Sequence, residues 1–250
     1  METLQISLNI SSLVSIFALG FLGFILSMLI TPLYTTLAYK HQWWKRQRTD
    51  SWSGGKAEVY HKLHEAKHKR NIPTMAGLIF VISICLVTLI FNLNRGETWL
   101  PLAGMICAAV IGLFDDITNV KSTGGIAGMS ARLKFSLYSI SALAGGWWFY
   151  SKLGVDSIFI PGFGEWQIGI LVIALFWLVV VATANAVNMS DGLDGLAGGL
   201  LVSSFTAYAI ICVIEGKFAL AGFCLATIGA LLSYTWFNIF PARFFMGDSG

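Results

Sequence analysis

Charged residues are scarce in this chain. Only 12% of its 250 residues are Asp, Glu, Lys or Arg, whereas 56% are hydrophobic. Soluble domains usually carry about 25% charged residues, which would be about twice as many. This composition excludes an ordinary soluble domain and predicts a protein that lies in lipid.

Cysteine is also scarce, and its spacing carries no motif. The four cysteines all lie inside apolar runs and form no CxxC pair. We therefore predict small buried hydrophobic residues, and we exclude a disulfide framework and a cysteine zinc site. The N-terminus shows neither the basic stretch nor the small-residue cleavage site of a signal peptide, so its apolar run is predicted to be a retained span.

Long apolar runs are what the chain has in place of charge. A bilayer core of about 30 Å needs about 20 apolar residues, and backbone groups in lipid must be paired within a helix. The sequence thus predicts one all-α membrane domain over residues 1–250, a polytopic bundle of about seven transmembrane helices. Alternating apolar residues around a Pro-Gly pair predict a small outward β-hairpin near 156–167. The predicted spans are 12–39, 74–91, 99–114, 133–150, 168–187, 195–214 and 218–240, the third being expected to extend into its flanks.

The basic residues are unevenly distributed. Nine of the 16 Lys and Arg lie between Lys40 and Arg70. Positively charged loops stay in the cytoplasm, so this segment is predicted to be inside and the N-terminus outside. Alternation of the spans then places 115–132, 188–194 and 241–250 on the same inner side.

Acids collect at the predicted inner ends of the spans. Five of the 13 acids lie there, in three separate loops. Five converging carboxylates would repel one another, and a divalent cation with oxygen ligands, Mg²⁺ or Ca²⁺, would relieve that repulsion. Salt bridges to nearby basic residues are the alternative for any single acid. The five are Asp115, Asp116, Asp191, Asp194 and Asp248.

Basic residues on the same side complete a pattern that suits phosphoryl transfer, in which metal and cations neutralise phosphate charge. The preference of positive charge for the cytoplasmic side explains each of them equally well without a ligand. A transport path is a further alternative, but it needs ionisable groups near the midplane, where the spans have almost none. These basic residues are Lys67, Lys69, Arg70, Lys121, Arg132 and Lys134.

Five motifs, in this order along the chain, resemble the polyprenyl-phosphate N-acetylhexosamine-1-phosphate transferase family. The PTM-x-G and SARxK elements favour its MraY-type branch, the phospho-N-acetylmuramoyl-pentapeptide transferases, over the WecA-like N-acetylglucosamine-1-phosphate branch. The motifs are PTMAG at 73–77, FDD at 114–116, SARLK at 130–134, NAVNMSDGLDGLA at 185–197 and FMGD at 245–248.

The resemblance implies an Mg²⁺-dependent membrane transferase of peptidoglycan synthesis in the bacterial inner membrane, with its site on the cytoplasmic face. It would transfer phospho-N-acetylmuramoyl-pentapeptide from a UDP-linked amino sugar to undecaprenyl phosphate, giving lipid I and UMP. A homodimer is compatible with this reading, and no nucleic acid partner is expected. Two alternatives stay open: a WecA-like transferase of UDP-N-acetylglucosamine, and a non-catalytic truncated paralogue.

The same resemblance assigns roles to residues. Asp115 would be the base, or the nucleophile of a two-step scheme. Asp116 would lie near the metal and the lipid phosphate, and Asp248 would be an Mg²⁺ ligand. The residues that would bind substrate are Lys69, Lys134, Asn188, Asp191, Gly192, Leu193, Asp194, Asn238 and Phe245.

The chain departs from the family pattern in several places. Asn119 stands where the family often has Lys, Ile72 where it has Thr, and Ser249 where Val is common. The family's later spans and its His-cluster loop would follow Gly250. The resemblance therefore predicts a chain truncated at its C-terminus.

Overall fold

The structure is a computed structural model that describes residues 10–44, 71–121 and 128–250. Within these ranges it has seven helices and one two-stranded sheet, which confirms the predicted all-α membrane fold. Each predicted span corresponds to one helix. The elements are α1 (Ile10–Lys40), α2 (Gly77–Phe91), α3 (Trp99–Lys121), α4 (Ala131–Leu153), β1 (Ser157–Ile160), β2 (Gly164–Gln167), α5 (Leu171–Ser190), α6 (Leu196–Ile214) and α7 (Phe218–Asn238).

Five of the described helices, α1, α3, α5, α6 and α7, are long and apolar enough to cross a membrane. The helix α4 has 23 residues but is less apolar, and α2 has 15 residues. As expected, α3 extends well beyond residue 114. Two predicted starts are wrong by three residues. Before α2, the Thr74 N–H donates to the Trp43 carbonyl and the Ala76 N–H donates to the Phe245 carbonyl, and 168–170 form the exit of the hairpin.

The centre of the bundle is α7, which packs against α1, α2 and α6. In its most apolar stretch 67% of the residues are buried, against 6% for α5. The helices α1 and α7 run in parallel, and their backbones touch where Gly229 meets Gly20. Farther along, the Ser27 hydroxyl donates to the Ala230 carbonyl at 3.1 Å. Small residues permit this close approach, which drives helix association in lipid.

The helices α4 and α5 form a second, more exposed pair. Gly146 of α4 lies against the Ile173 backbone of α5, so these helices also approach closely. The predicted hairpin joins them: β1 and β2 pair antiparallel, with Ser157 opposite Gln167 and Ile160 opposite Gly164.

The packing places three helix N-termini and four helix C-termini at one end of the bundle, which we call the site end. It comprises the last turns of α1, α3, α5 and α7 and the first turns of α2, α4 and α6. The opposite end is held by side chains that reach the start of α7. Glu97 accepts a hydrogen bond from the Leu220 N–H at 3.0 Å, and Asn92 donates to the Ala219 carbonyl at 2.8 Å.

Candidate active site

Two adjacent buried carboxylates lie near the C-terminal end of α3. Asp115 is 1% exposed and Asp116 is 0% exposed. Neighbouring residues of a helix point in different directions, so the two acids meet different partners. Asp115 accepts hydrogen bonds from the Met129 N–H at 2.6 Å and from the Asn119 amide at 2.8 Å. Asp116 accepts from the Ser249 N–H at 2.9 Å.

The start of α4 brings a lysine to these acids. Ser130 caps the helix by accepting a hydrogen bond from the Leu133 N–H at 3.3 Å, as serine commonly does at this position. One turn into the helix, the Lys134 ammonium lies 2.6 Å from Asp115 Oδ2 and also forms an ion pair with Asp248 Oδ2. The side chains of Lys134 and Asp248 are 29% and 21% exposed, so a ligand can reach both. The SARLK motif thus supplies a helix cap and the cation of the site.

Asp248 belongs to an irregular segment, residues 244–250, that is held by the PTMAG motif. The Phe245 N–H donates to the Pro73 carbonyl at 2.8 Å, and the Phe245 carbonyl accepts from the Ala76 N–H at 3.0 Å. The Met246 carbonyl accepts from the Gly77 N–H at 2.9 Å. The last two bonds satisfy N–H groups at the start of α2, which would otherwise lack partners.

A second group of polar side chains fixes the loop between α5 and α6. Asn238 is 1% exposed; its oxygen accepts from the Gly195 N–H and its amide donates to the Phe244 carbonyl, both at 2.9 Å. Asp194 accepts from the Ala242 N–H at 3.2 Å. The resemblance implies that Asn238 and Asp194 contact substrate, and in this structure both bind backbone groups.

The other predicted substrate residues lie at the same end of the bundle. Asn188 and Gly192 are exposed, Leu193 is 62% exposed, and Asp191 and Phe245 are half-buried. Their substrate contacts stay predictions. Lys69 lies outside the described residues.

Sequence reasoning missed Asn119 as a member of the site and treated it only as a departure from the family. Its amide holds Asp115, and the signal was present, because residues four apart on a helix are neighbours. The backbone donors Met129 and Ser249 carried no signal, because any residue type supplies an N–H group.

The donor chemistry of the site suits Mg²⁺ only in part. Among the described residues, no group of three or more His, Cys, Asp or Glu could hold a metal ion. The Lys134 ammonium lies between Asp115 and Asp248 instead. Mg²⁺ is commonly held by one or two carboxylates together with water and substrate phosphates, and the partly exposed Asp248 meets that requirement.

Known proteins are similar to this chain in sequence. The sequence pattern of glycosyl transferase family 4 matches residues 98–250. A phospho-N-acetylmuramoyl-pentapeptide-transferase of Clostridium botulinum (strain Eklund 17B / Type B) is 33% identical over 230 residues, which are 92% of this chain and 67% of the relative. The proteins of the same name from Chloroflexus aggregans and Aquifex aeolicus are 34% and 32% identical, over 91% and 92% of this chain and 62% and 66% of their own lengths.

The chain therefore spans about two thirds of the length of these curated relatives. The resemblance seen in the motifs is confirmed over most of the chain, including the part before residue 98. The chain belongs to glycosyl transferase family 4 and is a membrane phospho-sugar transferase of the kind represented by the phospho-N-acetylmuramoyl-pentapeptide-transferases.

Proposed function

We propose that this protein transfers phospho-N-acetylmuramoyl-pentapeptide from its UDP carrier to undecaprenyl phosphate, giving lipid I and UMP. The observation that carries the proposal is the position of Lys134, between Asp115 and Asp248 at one end of a membrane bundle. A cation flanked by carboxylates suits a reaction in which phosphate groups must be held and their developing charge neutralised. The names of the relatives supply the substrate class.

In the proposed reaction an oxygen of the lipid phosphate attacks the sugar-linked phosphorus of the donor. A new P–O bond forms, the bond from this phosphorus to the bridging oxygen breaks, and UMP leaves with that oxygen. The Lys134 ammonium has three N–H groups, so it can donate to a phosphate oxygen while it keeps Asp115 and Asp248 as partners. Because its side chain is partly exposed, a phosphate group can reach it.

Asp115 is suited to accept the proton of the attacking lipid phosphate. Its two oxygens already take three partners, namely Met129, Asn119 and Lys134. Accepting a proton requires only hydrogen-bond contact, whereas an attack on phosphorus requires an unobstructed approach, and Asp115 is 1% exposed. We therefore propose Asp115 as the base and not as the nucleophile of a two-step scheme.

Mg²⁺ is part of the proposal. Asp248 would hold it together with phosphate oxygens of the donor, and the resemblance adds Asp116 as a second ligand. When bound, the ion would supply positive charge that lowers the cost of the charge developing on the phosphate oxygens. We place the site on the cytoplasmic face of the bacterial inner membrane and the N-terminus outside, because the segment between Lys40 and Arg70 is strongly basic.

The test is UMP release by the purified protein with undecaprenyl phosphate, using UDP-N-acetylmuramoyl-pentapeptide or UDP-N-acetylglucosamine as donor. Asp115→Asn and Asp248→Asn should each abolish release, because one removes the base and the other the proposed metal ligand. The matched control is Asp156→Asn, in the exposed hairpin region at the opposite end, which should leave the rate unchanged.

Chelation tests the metal separately. EDTA should stop UMP release and added Mg²⁺ should restore it, whereas full activity in chelator would remove the metal from the proposal. Release with UDP-N-acetylglucosamine alone would assign the protein to the WecA-like branch. No release with either donor would contradict the transferase activity of this chain.

A further inference from the structure

We propose that Asp116 is a positioning residue: its carboxylate holds the 244–250 segment so that Asp248 faces Lys134. This role differs from the metal ligand that the resemblance implies, and it rests on the function proposed above. The PTMAG motif holds the same segment from its other side.

The carboxylate of Asp116 is directed at the backbone next to Asp248. Its Oδ2 atom accepts a hydrogen bond of 2.9 Å from the Ser249 N–H, the group that directly follows the carbonyl of Asp248. Asp116 is 0% exposed and Ser249 is 1% exposed. A hydrogen bond to an ionised acceptor in such a dry place is among the stronger ones in proteins. This bond therefore fixes the peptide unit that orients the Asp248 side chain.

Two glycines show how closely the surrounding atoms enclose this segment. Gly112, one helical turn before Asp116, lies against the Asp248 carbonyl, and a side chain there would collide with it. Gly247 has a φ of +75°, and a Cβ atom at this residue would meet the carboxylate of Asp116 and the hydroxyl of Thr74. Only glycine combines that conformation with that lack of space.

The PTMAG motif forms the other side of the enclosure. Its three backbone hydrogen bonds to Phe245 and Met246 hold the segment before Asp248. Met75 is 2% exposed and has a φ of +72°, a conformation that costs a non-glycine residue energy and persists only where its surroundings enforce it. The Thr74 carbonyl in turn accepts a hydrogen bond from the Tyr34 hydroxyl of α1 at 2.5 Å.

The two adjacent acids of α3 thus have separate tasks. Asp115 contacts the Lys134 ammonium, whereas Asp116 contacts the backbone that carries the ammonium's second partner, Asp248. Both acids lie on α3. This helix therefore sets the distance between the Lys134 ammonium and the backbone that carries Asp248. A displacement of about 1 Å in such a site can cost about 100-fold in rate.

The experiment compares Asp116→Asn, Asp116→Ala and Asp248→Asn in the purified full chain by hydrogen–deuterium exchange of peptides covering 244–250 and by UMP release. An asparagine oxygen can still accept the Ser249 N–H, whereas alanine cannot. We expect Asp116→Ala to speed exchange in this segment and to lower kcat about 100-fold. Asp116→Asn should keep the protection of the wild type and rescue most of that loss. Asp248→Asn should be inactive with its protection intact.

Ser249→Ala is the control for the hydrogen bond, because it keeps the N–H group and removes only the hydroxyl, whose contact with the Met246 carbonyl is long at 3.5 Å. Its exchange should match the wild type. The inference is overturned if Asp116→Asn is as inactive as Asp248→Asn while fully protected, because the charge of Asp116 would then act in the chemistry. Unchanged exchange in Asp116→Ala would also overturn it. If the wild type releases no UMP, the proposed function fails, and the exchange result alone still decides whether Asp116 anchors the segment.

Discussion

Asn238 offers the sharpest test of whether a residue of the site end binds substrate or holds the fold. Its side chain makes two hydrogen bonds of 2.9 Å, one from the Gly195 N–H and one to the Phe244 carbonyl. Asn238→Ala would leave both backbone groups without these partners. A buried polar group that loses its partner costs about 1–3 kcal/mol, so the pair predicts a loss of about 2–6 kcal/mol. Water can reach the N–H of the half-buried Gly195 and replace part of the lost hydrogen bond. We therefore expect the free energy of unfolding to fall by about 3 kcal/mol.

The measurement is the free energy of unfolding in mixed SDS micelles, followed by tryptophan fluorescence. Asn185→Ala is the matched control, because Asn185 is exposed and its amide donates only a long contact of 3.8 Å to the Met189 sulfur; substitutions of this kind change stability by about 0.5 kcal/mol or less. A loss below about 1 kcal/mol for Asn238→Ala, together with lost donor binding, would refute the structural role and favour substrate contact.

Two further predictions concern the helix contacts away from the site. Gly229→Val should separate α7 from Gly20 of α1 and lower the free energy of unfolding by about 1–3 kcal/mol or more. Gly199→Val, whose added side chain meets open space, should not lower it. Unfolding in mixed micelles compares the two variants, and equal losses of stability would contradict the close contact. Glu97→Ala removes the acceptor of the Leu220 N–H and should lower the free energy of unfolding by about 1–2 kcal/mol. Glu97→Gln retains an acceptor and should lower it less. The same loss for both would show that the charge at the start of α7, and not the hydrogen bond, provides the stability.

Hydropathy predicted the helices because the requirement for lipid-compatible, internally bonded segments is local. It could not predict where α2 begins. Residues 74–76 carry no charge and adjoin the apolar run of α2. Ala76 and Gly77, however, donate to a segment about 170 residues away in the chain, a distance that no window of sequence covers. The apolar pattern was more successful in predicting that a helix exists than in predicting where it begins.

For the candidate site, too, the sequence predicted the location but not the local geometry. Alternation of the spans correctly brought the acids and Lys134 to one end of the bundle. The orientation of each side chain was beyond the sequence, since Asp115 and Asp116 are adjacent and chemically identical yet meet an ammonium group and a backbone N–H respectively. Which acid meets which partner depends on the direction of α3 and on the path of residues 244–250.

The parallel contact between α1 and α7 has a consequence for how the protein is made. The Ser27 hydroxyl and the Ala230 carbonyl that it binds are separated by 203 residues, and chains are synthesised and inserted from the N-terminus. The helix α1 therefore enters the membrane long before its main partner exists, with the small residues of its contact face turned to lipid. The pair of α1 and α7 can assemble only after α7 has been synthesised. A ribosome that stalls before α7 would leave α1 without the helix against which it packs.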